Sequence, residues 1–201
     1  NEEDANSVSV GDTVEYVITS RVPEMDGYEK YFFVVHDTLD TGLTFQKDTL
    51  EILVDGEEMD ASSYQLVTEN VEDGCTFEIV FKNFIQYKEQ KDAPIRISYS
   101  ATVNINAQIG NLGNGNKAHL EYSNNPNVTQ NGEEDNPDKP GFGDVTGVTP
   151  DDVTVSYITG IELIKIDDSE NPIRLQGAEF KITGEKLNQV KVVKGVFTED
   201  E

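Results

Sequence analysis

The apolar and polar residues of this chain mostly follow the two-residue period of β-strands, in which alternate side chains share one face of a sheet. The longest such stretch covers residues 95–105, and its apolar positions are Ile95, Ile97, Tyr99, Ala101, Val103 and Ile105. Residues 13–20 alternate in the same way, and their apolar side chains are Val14, Tyr16 and Ile18. Both stretches are predicted to be half-buried strands that turn one face to a core.

A continuous apolar run at residues 31–35 predicts a further strand, central in its sheet and covered on both faces. Two dipeptides, Asp55-Gly56 and Asn114-Gly115, predict tight turns, because such pairs adopt left-handed backbone conformations readily. A helical pattern is confined to one short amphipathic turn at residues 84–92. Shorter strand-like runs cover residues 49–54, 64–68, 75–81, 116–122 and 153–157. The chain is therefore predicted to be all-β.

A polar segment at residues 124–150 divides the chain, and we expect it to be a long loop. It is almost devoid of apolar residues and holds four of the seven prolines. The strand-like residues that follow are predicted to complete a first domain at residues 1–158. Residues 159–201 contain only three or four strand-like runs, too few to close a sandwich, so a second, incomplete domain is expected there.

Composition and charge narrow the classes of function. The 201 residues include 39 acidic and 15 basic side chains, and the net charge of −24 repels nucleic acids and anionic membrane surfaces. No nucleic-acid or membrane partner is therefore expected. The sequence has no Ser-His-Asp order, no glycine-rich phosphate loop and no CxxC pair, and its two histidines cannot by themselves supply a metal site. We expect no cofactor, no metal and no enzyme acting on an outside substrate.

Two polar residues occupy positions that predict burial. Asp37 lies just past the apolar run at residues 31–35, so it either begins a turn in water or is partly desolvated, with a raised pKa. Asn116 has the same parity as the apolar residues of its own predicted strand and therefore points towards the core. A buried amide without partners costs about 1–3 kcal/mol. The residues by themselves leave both interpretations of Asp37 open.

Three segments, in this order, resemble the isopeptide-forming middle domain of sortase-assembled pilins, which are surface proteins of Gram-positive bacteria. They are GDTVEYVI at residues 11–18, HDTLDTGL at residues 36–43 and NGNKAHLEYSNNP at residues 114–126. The match spans roughly residues 8–157. Residues 161–180, with a Lys-x-Asp and a Gly-Ala-Glu-Phe motif, resemble the opening strands of the next domain in such pilins.

The resemblance implies a fold and a function. It implies an immunoglobulin-like β-sandwich of the collagen-adhesin A type, followed by the first strands of a collagen-adhesin B type domain. It also implies a structural subunit of a covalently assembled pilus, extracellular and on the cell wall, whose neighbours are joined to it by a pilus sortase. The alternative is a cell-wall-anchored adhesin domain that binds a host matrix protein, mucosal ligand or glycan.

The resemblance further implies an amide bond that the domain makes within itself. A lysine on the first strand attacks an asparagine side chain on the last strand, ammonia leaves, and a buried acid carries the proton. Asp37 occupies the position of the acid. Asn116 is the predicted amide, and Asn114, two residues earlier with the same parity, is the alternative.

The lysines of the two implied bonds lie in different places. Residues 1–10 contain no lysine, so the partner of the first bond is expected upstream of Asn1, and the sequence is expected to be a piece of a longer protein. Lys165 matches the lysine of the second domain, and its asparagine is expected beyond Glu201. Burial would favour this chemistry, because it lowers the pKa of an amine and raises the pKa of a carboxyl group.

Overall fold

Two β-sheets lie face to face in the computed structural model, which describes residues 4–69, 71, 74–127, 146–158 and 165–175. This β-sandwich confirms the all-β prediction. The strands are β1 (Ala5–Val8), β2 (Thr13–Arg21), β3 (Phe33–Leu39), β4 (Leu43–Val54), β5 (Glu57–Glu58), β6 (Tyr64–Val67), β7 (Phe77–Phe81), β8 (Pro94–Val103), β9 (Asn114–Ser123), β10 (Thr146–Val148) and β11 (Asp152–Ile158).

The two sheets differ in size and in their edges. The larger sheet has the order β1-β11-β9-β3-β7-β6, and β10 also pairs with β9. The smaller sheet has the order β2-β8-β4-β5. β1 runs parallel to β11, whereas the other named pairs of strands are antiparallel. Strands β3 and β9 are therefore interior to the larger sheet, and β8 is interior to the smaller one.

The core lies between the sheets and follows from the alternation seen in the sequence. Along β8, every second side chain is buried, namely Ile95, Ile97, Tyr99, Ala101 and Val103. Phe33, Phe81 and Phe84 stack or meet edge to face at one end of the core. Full burial of a large apolar side chain contributes about 1.5–3 kcal/mol, so these positions hold the two sheets together.

Helical structure in the described residues is limited to two 3₁₀ helices, Ala61–Ser63 and Phe84–Gln90. The second falls on the amphipathic turn that the sequence predicts at residues 84–92, and it buries Phe84. A helix of the length and apolar character needed to cross a bilayer does not occur in the part of the chain that the structure describes.

Three predictions about element boundaries are wrong. Asp37 does not end its strand, because β3 continues to Leu39. Asn114-Gly115 is not a turn, because it begins β9, and the chain turns earlier, where Gly110 and Gly113 have φ values of 98° and 68°. Ile105 lies beyond the end of β8 and is 62% exposed, so it does not belong to the buried face.

The predicted loop at residues 124–150 is also corrected in part. Thr146–Val148 form β10, which pairs with the end of β9, whereas residues 128–145 lie outside the described residues.

β11 pairs with β9, as expected for a last strand of the first domain. Most of the predicted strands after residue 158 lie outside the described residues, and among residues 165–175 a single bridge joins Ile166 to Arg174. The domain boundaries remain predictions.

Candidate functional site

Asp37 lies in the middle of the larger sheet, with its side chain turned to the core. Its neighbours across the sheet are Phe77 on β7 and Ala118 on β9. The period of β3 places Asp37 on the same face as the buried Val35 and Leu39, and Asp37 itself is 0% exposed. Strand pairing on both sides therefore forces a carboxyl group into the interior.

A tyrosine from the opposite sheet connects Asp37 to Asn116. The Tyr99 hydroxyl donates a hydrogen bond of 2.6 Å to Asp37 Oδ2. Asn116 Nδ2 in turn donates a hydrogen bond of 2.7 Å to Tyr99 Oη. Asn116 pairs with Leu39, two residues along β3 from Asp37, so both side chains face inward from neighbouring strands. The acid, the phenol and the amide thus form one hydrogen-bonded chain across the core.

Aromatic rings surround this chain and keep water away from it. Tyr99 stacks on Tyr16, with ring centroids 5.3 Å apart. The edges of Phe45 and Phe77 meet Tyr99 at centroid distances of 5.4 Å and 5.1 Å. Tyr99 and Asn116 are 2% and 6% exposed. Charge is costly in such surroundings, which favours neutral forms of acids, phenols and amines.

The acid–base properties follow from that burial. Desolvation raises the pKa of Asp37 to about 7, although the Tyr99 hydroxyl and the Asn116 amide pull it in the opposite direction. Desolvation, followed by the charge of Asp37, raises the pKa of Tyr99 far above its ordinary range. Asp37 can therefore gain or lose a proton near neutral pH, whereas Tyr99 stays protonated.

Two buried oxygen atoms of this cluster, Asp37 Oδ1 and Asn116 Oδ1, make no hydrogen bond of normal geometry with described residues. Buried polar atoms are almost always paired, and each unpaired one costs about 1–3 kcal/mol. Acceptors gathered in this way can bind a hydrogen-bond donor such as an amine, or share a proton between the acid and the amide carbonyl.

Asn114 has a different environment from that of Asn116. Its Oδ1 accepts a hydrogen bond from Gln108 N (2.7 Å), and its Nδ2 donates to Gln108 O (3.0 Å) and Ser156 O (3.2 Å). A Cβ atom at Gly42 would lie only 2.3 Å from Asn114 Oδ1, so glycine is needed there for close approach. Asn114 fastens the segment before β9 to β11. The structure brings Asp37 together with Asn116, and no hydrogen bond joins Asp37 to Asn114.

Of the other predicted site residues, Lys165 is the one that lies within the described part of the chain. Lys165 is exposed, and its backbone carbonyl accepts a hydrogen bond from Leu175 N. The lysine expected upstream of Asn1 and the asparagine expected beyond Glu201 lie outside this sequence.

The two histidines stack on each other, away from Asp37. The rings of His36 and His119 are 4.8 Å apart. The ring nitrogens of His36 lie 3.3 Å and 3.4 Å from carboxylate oxygens of Glu78 and Glu121, and His119 lies 3.0 Å from Asp151. No group of three or more His, Cys, Asp and Glu side chains among the described residues is arranged to hold a metal ion.

Sequence reasoning missed Tyr99 as a site residue. It placed Tyr99 correctly on the buried face of the longest strand but treated it only as an apolar member of that face. A signal was present, because a buried tyrosine hydroxyl normally finds a hydrogen-bond partner. A tyrosine in the middle of an inward-facing row of Ile, Ala and Val therefore indicates a polar group opposite.

Comparison with known proteins identifies relatives of the chain. A sequence model of the family described as Gram-positive pilin backbone subunit 2, Cna-B-like domain, matches residues 10–126. The trypsin-resistant surface T6 protein of Streptococcus pyogenes serotype M6 is 32% identical over 191 residues, which are 90% of this chain and 34% of that protein. The chain thus spans about a third of the length of this relative.

Solved structures give the same result. The T6 backbone pilin of serotype M6 Streptococcus pyogenes matches with a TM-score of 0.54 and 27% identity, over 75% of this chain and 32% of that one. The full-length major pilin RrgB of Streptococcus pneumoniae matches with a TM-score of 0.50 and 28% identity, over 64% and 21% of the two chains. A fragment of the major pilin GBS80 of Streptococcus agalactiae shares the fold, with a TM-score of 0.60 and 20% identity. The match covers 85% of this chain and 57% of that fragment.

These matches confirm the family resemblance and the β-sandwich predicted from the motifs. The family description names the matched domain Cna-B-like, whereas the resemblance implied the collagen-adhesin A type for the same residues. The sandwich is common to both descriptions.

Proposed function

Because this chain belongs to the Gram-positive pilin backbone family, we propose that it is part of a structural subunit of a covalently assembled pilus on the cell surface. The relatives at 27–32% identity that support this are a surface protein, a backbone pilin and a major pilin. In this proposal the partners of the chain are neighbouring pilin subunits, joined by a pilus sortase, and its location is extracellular, on the cell wall or pilus.

The domain would also form its own isopeptide bond. Asn116 supplies the side-chain amide, Asp37 is the acid, and the amine comes from a lysine upstream of Asn1. The observation that carries this assignment is the buried hydrogen-bonded chain from Asn116 through Tyr99 to Asp37. The reaction occurs once in each domain, so the protein is not an enzyme with an outside substrate.

Each part of the site suits this reaction. An amine that enters the aromatic pocket is favoured in its neutral, nucleophilic form. Asp37 can be protonated near neutral pH, so it can act as an acid, and Asp37 Oδ1 and Asn116 Oδ1 have no partner among the described residues and are open to the incoming amine. Fixed contact between groups on rigid strands replaces a high concentration of reagents.

The topology also suits a lysine from the preceding chain. β1 pairs with β11, and Val155 N donates a hydrogen bond of 2.9 Å to Asp4 O, so Asp4, the first described residue, lies at that edge of the sheet. β11 pairs directly with β9, where Thr154 lies opposite Asn116. The resemblance implied an asparagine on the last strand, which is β11 here, whereas a bond from residues upstream of Asp4 to β9 would tie the first strand to an interior one. Pulling force would then pass through covalent bonds instead of separating strand pairs.

Intact-mass spectrometry on a chain extended upstream tests this proposal. The native protein should be lighter than its sequence mass by one ammonia for the link in this domain. Asp37→Ala and Asn116→Ala should both restore the unreacted mass, whereas the matched variant Asn114→Ala should keep the bond. An unchanged native mass would refute the proposal, and loss of the bond only in Asn114→Ala would move the amide to Asn114.

Lys165 is proposed to serve the same purpose in the next domain, with an asparagine beyond Glu201. The adhesin alternative has no specific observation in its favour, since the solved relatives that carry the assignment are a backbone pilin and a major pilin. Binding of the purified chain to an immobilised host matrix protein would revive that alternative.

A further inference from the structure

We propose that Tyr99 is a catalytic residue of the bond-forming step. Its hydroxyl passes a proton from Asp37 to the departing nitrogen of Asn116, a transfer called the relay below. This inference depends on the proposed function, because it concerns how the isopeptide bond forms. It assigns to a core tyrosine a chemical role beyond filling space and lining the pocket.

The positions of three heavy atoms support the assignment. Tyr99 Oη lies 2.6 Å from Asp37 Oδ2 and 2.7 Å from Asn116 Nδ2, within hydrogen-bond reach of both. Asn116 also lowers the pKa of the nearby Asp37 carboxyl group. The hydrogen bond that Asn116 Nδ2 donates at 2.7 Å, however, goes to Tyr99 Oη. Nδ2 is the atom that must leave as ammonia, so Tyr99 contacts a reacting atom directly.

The same contact can reverse its direction during the reaction. In the amide, the nitrogen lone pair is delocalised, so Nδ2 donates and Tyr99 accepts. When the amine adds to Cγ, that carbon becomes tetrahedral and the lone pair returns to the nitrogen, which then accepts. A tyrosine hydroxyl can follow this change, because it is both donor and acceptor and its hydrogen rotates.

The proton balance closes without any outside reagent. A bond forms between the lysine nitrogen and Cγ of Asn116, and the bond between Cγ and Nδ2 breaks. Asp37 enters the step as the neutral acid with its proton on Oδ2, so that Oδ2 donates to Tyr99 Oη and the Tyr99 hydrogen rotates towards Nδ2. The proton lost by the attacking amine is taken up at Asp37 Oδ1 as Oδ2 gives its proton to Tyr99 Oη, and Tyr99 gives its own proton to Nδ2, which leaves as ammonia. Tyr99 ends as it began, and Asp37 again ends as the neutral acid, with its proton now on Oδ1.

The surroundings of Tyr99 keep the two transfers coupled. Burial, together with the charge of Asp37 whenever that group is ionised, raises the pKa of Tyr99 far above neutral, so a tyrosinate intermediate is disfavoured. Tyr99 must therefore accept one proton as it releases the other. Tyr16 provides a matched comparison, because it stacks on Tyr99 but its hydroxyl forms no hydrogen bond with Asp37 or Asn116.

The test compares Tyr99→Phe with Tyr16→Phe in the chain extended upstream to include its lysine. Loss of ammonia is followed by intact mass from the moment of synthesis, in a cell-free reaction. Tyr99→Phe should slow bond formation about 100-fold, the scale of a lost proton-transfer group, whereas Tyr16→Phe should stay within a few-fold of wild type. Bond formation at the wild-type rate in Tyr99→Phe would overturn the inference.

Two further measurements separate chemistry from packing. Replacement of Tyr99 alone by 3,5-difluorotyrosine keeps the ring and the hydroxyl but makes the phenol more acidic, so the rate and its pH profile should both shift. In mixtures of H₂O and D₂O, the wild-type rate should vary non-linearly with the deuterium fraction, as expected when more than one proton moves in the same step. A linear dependence, or a pH profile unmoved by fluorination, would contradict the relay even if Tyr99→Phe fails to fold.

The outcome for the relay is distinct from the outcome for the proposed function. If the wild-type chain carries no bond, the proposed function fails and the relay fails with it. If the wild-type chain bonds, Asp37→Ala does not, and Tyr99→Phe bonds at the normal rate, only the relay fails.

Discussion

β9 presents two buried asparagines to the same face, two residues apart, and their environments are opposite. Asn114 makes three hydrogen bonds to backbone groups, so both ends of its amide are paired. Asn116 makes one hydrogen bond, to Tyr99, and its carbonyl oxygen is unpaired among the described residues. The first environment stabilises an amide as it is, whereas the second leaves it open to an incoming group.

The difference arises from what faces each residue. Asn114 meets polar backbone at the end of the sandwich, where the chain turns at Gly110 and Gly113 before it enters β9. Asn116 meets Asp37 and Tyr99 in the centre, where both neighbouring strands continue and backbone groups are already used in the sheet. A buried polar side chain therefore indicates a reactive site only when its partners are other side chains and some of its atoms are unpaired.

The largest expected effect follows from removing the acid beside Asn116. In the chain extended upstream, Asp37→Asn should abolish the bond and lower the free energy of unfolding by about 5 kcal/mol, since a cross-link that closes a loop of roughly 100 residues stabilises by that order. Urea denaturation followed by circular dichroism measures the loss.

The same substitution in the 201-residue chain, which lacks the upstream lysine, is the control, because it reports the local effect of Asp37→Asn without any bond to this domain's Asn116. Subtracting one loss from the other isolates the contribution of the bond. Equal losses in the two chains would mean that no stabilising bond forms at Asn116.

A pH dependence of stability should also distinguish the two environments. The pKa of Asp37 is about 7 in the folded chain and about 3.9 when unfolded, so between these values the folded state holds a proton that the unfolded state has released. Stability contributed by Asp37 should therefore be full below about pH 4 and should be lost as the pH rises towards 7, by about 1.4 kcal/mol per pH unit at most.

Urea midpoints of the 201-residue chain at several pH values measure this slope. Asp37→Asn should remove it, because the amide does not titrate, whereas Asn114→Ala should leave it unchanged. A slope between pH 4 and pH 7 that survives in Asp37→Asn would assign the titration to another group.

Sequence reasoning could predict the inward direction of these residues but not their partners. The two-residue period placed Tyr99 and Asn116 on buried faces, because the side-chain direction along a strand is a local property of the chain. That Asp37 lies inside β3 could not be predicted, since the strand continues past its apolar run through pairing with β7 and β9 on either side. The contact between Tyr99 and Asp37 joins two sheets, and periodicity within one strand carries no information about it.

The dependence on contacts between distant residues also explains why a turn was wrongly predicted at Asn114-Gly115. This dipeptide is a strong turn signal, but the hydrogen bonds of Asn114 to Gln108 and Ser156 hold it at the start of a strand. Tertiary contacts override local turn preference where a buried amide finds partners far along the chain. The motif resemblance narrowed the amide to Asn114 or Asn116, and the choice between them depended on contacts that the sequence does not display.

The smallest expected effect concerns the asparagine that is not predicted to react. Asn114→Ala should destabilise the 201-residue chain by about 3 kcal/mol, because it leaves backbone groups of Gln108 and Ser156 without partners in a mostly buried position. Asn104→Ala is a matched control, since the half-buried Asn104 also makes three hydrogen bonds, but these are exposed and water can replace them. Its cost should stay below about 1 kcal/mol. Similar losses in the two variants, measured by urea denaturation, would show that burial of the Asn114 contacts does not determine their contribution and would weaken the contrast drawn with Asn116.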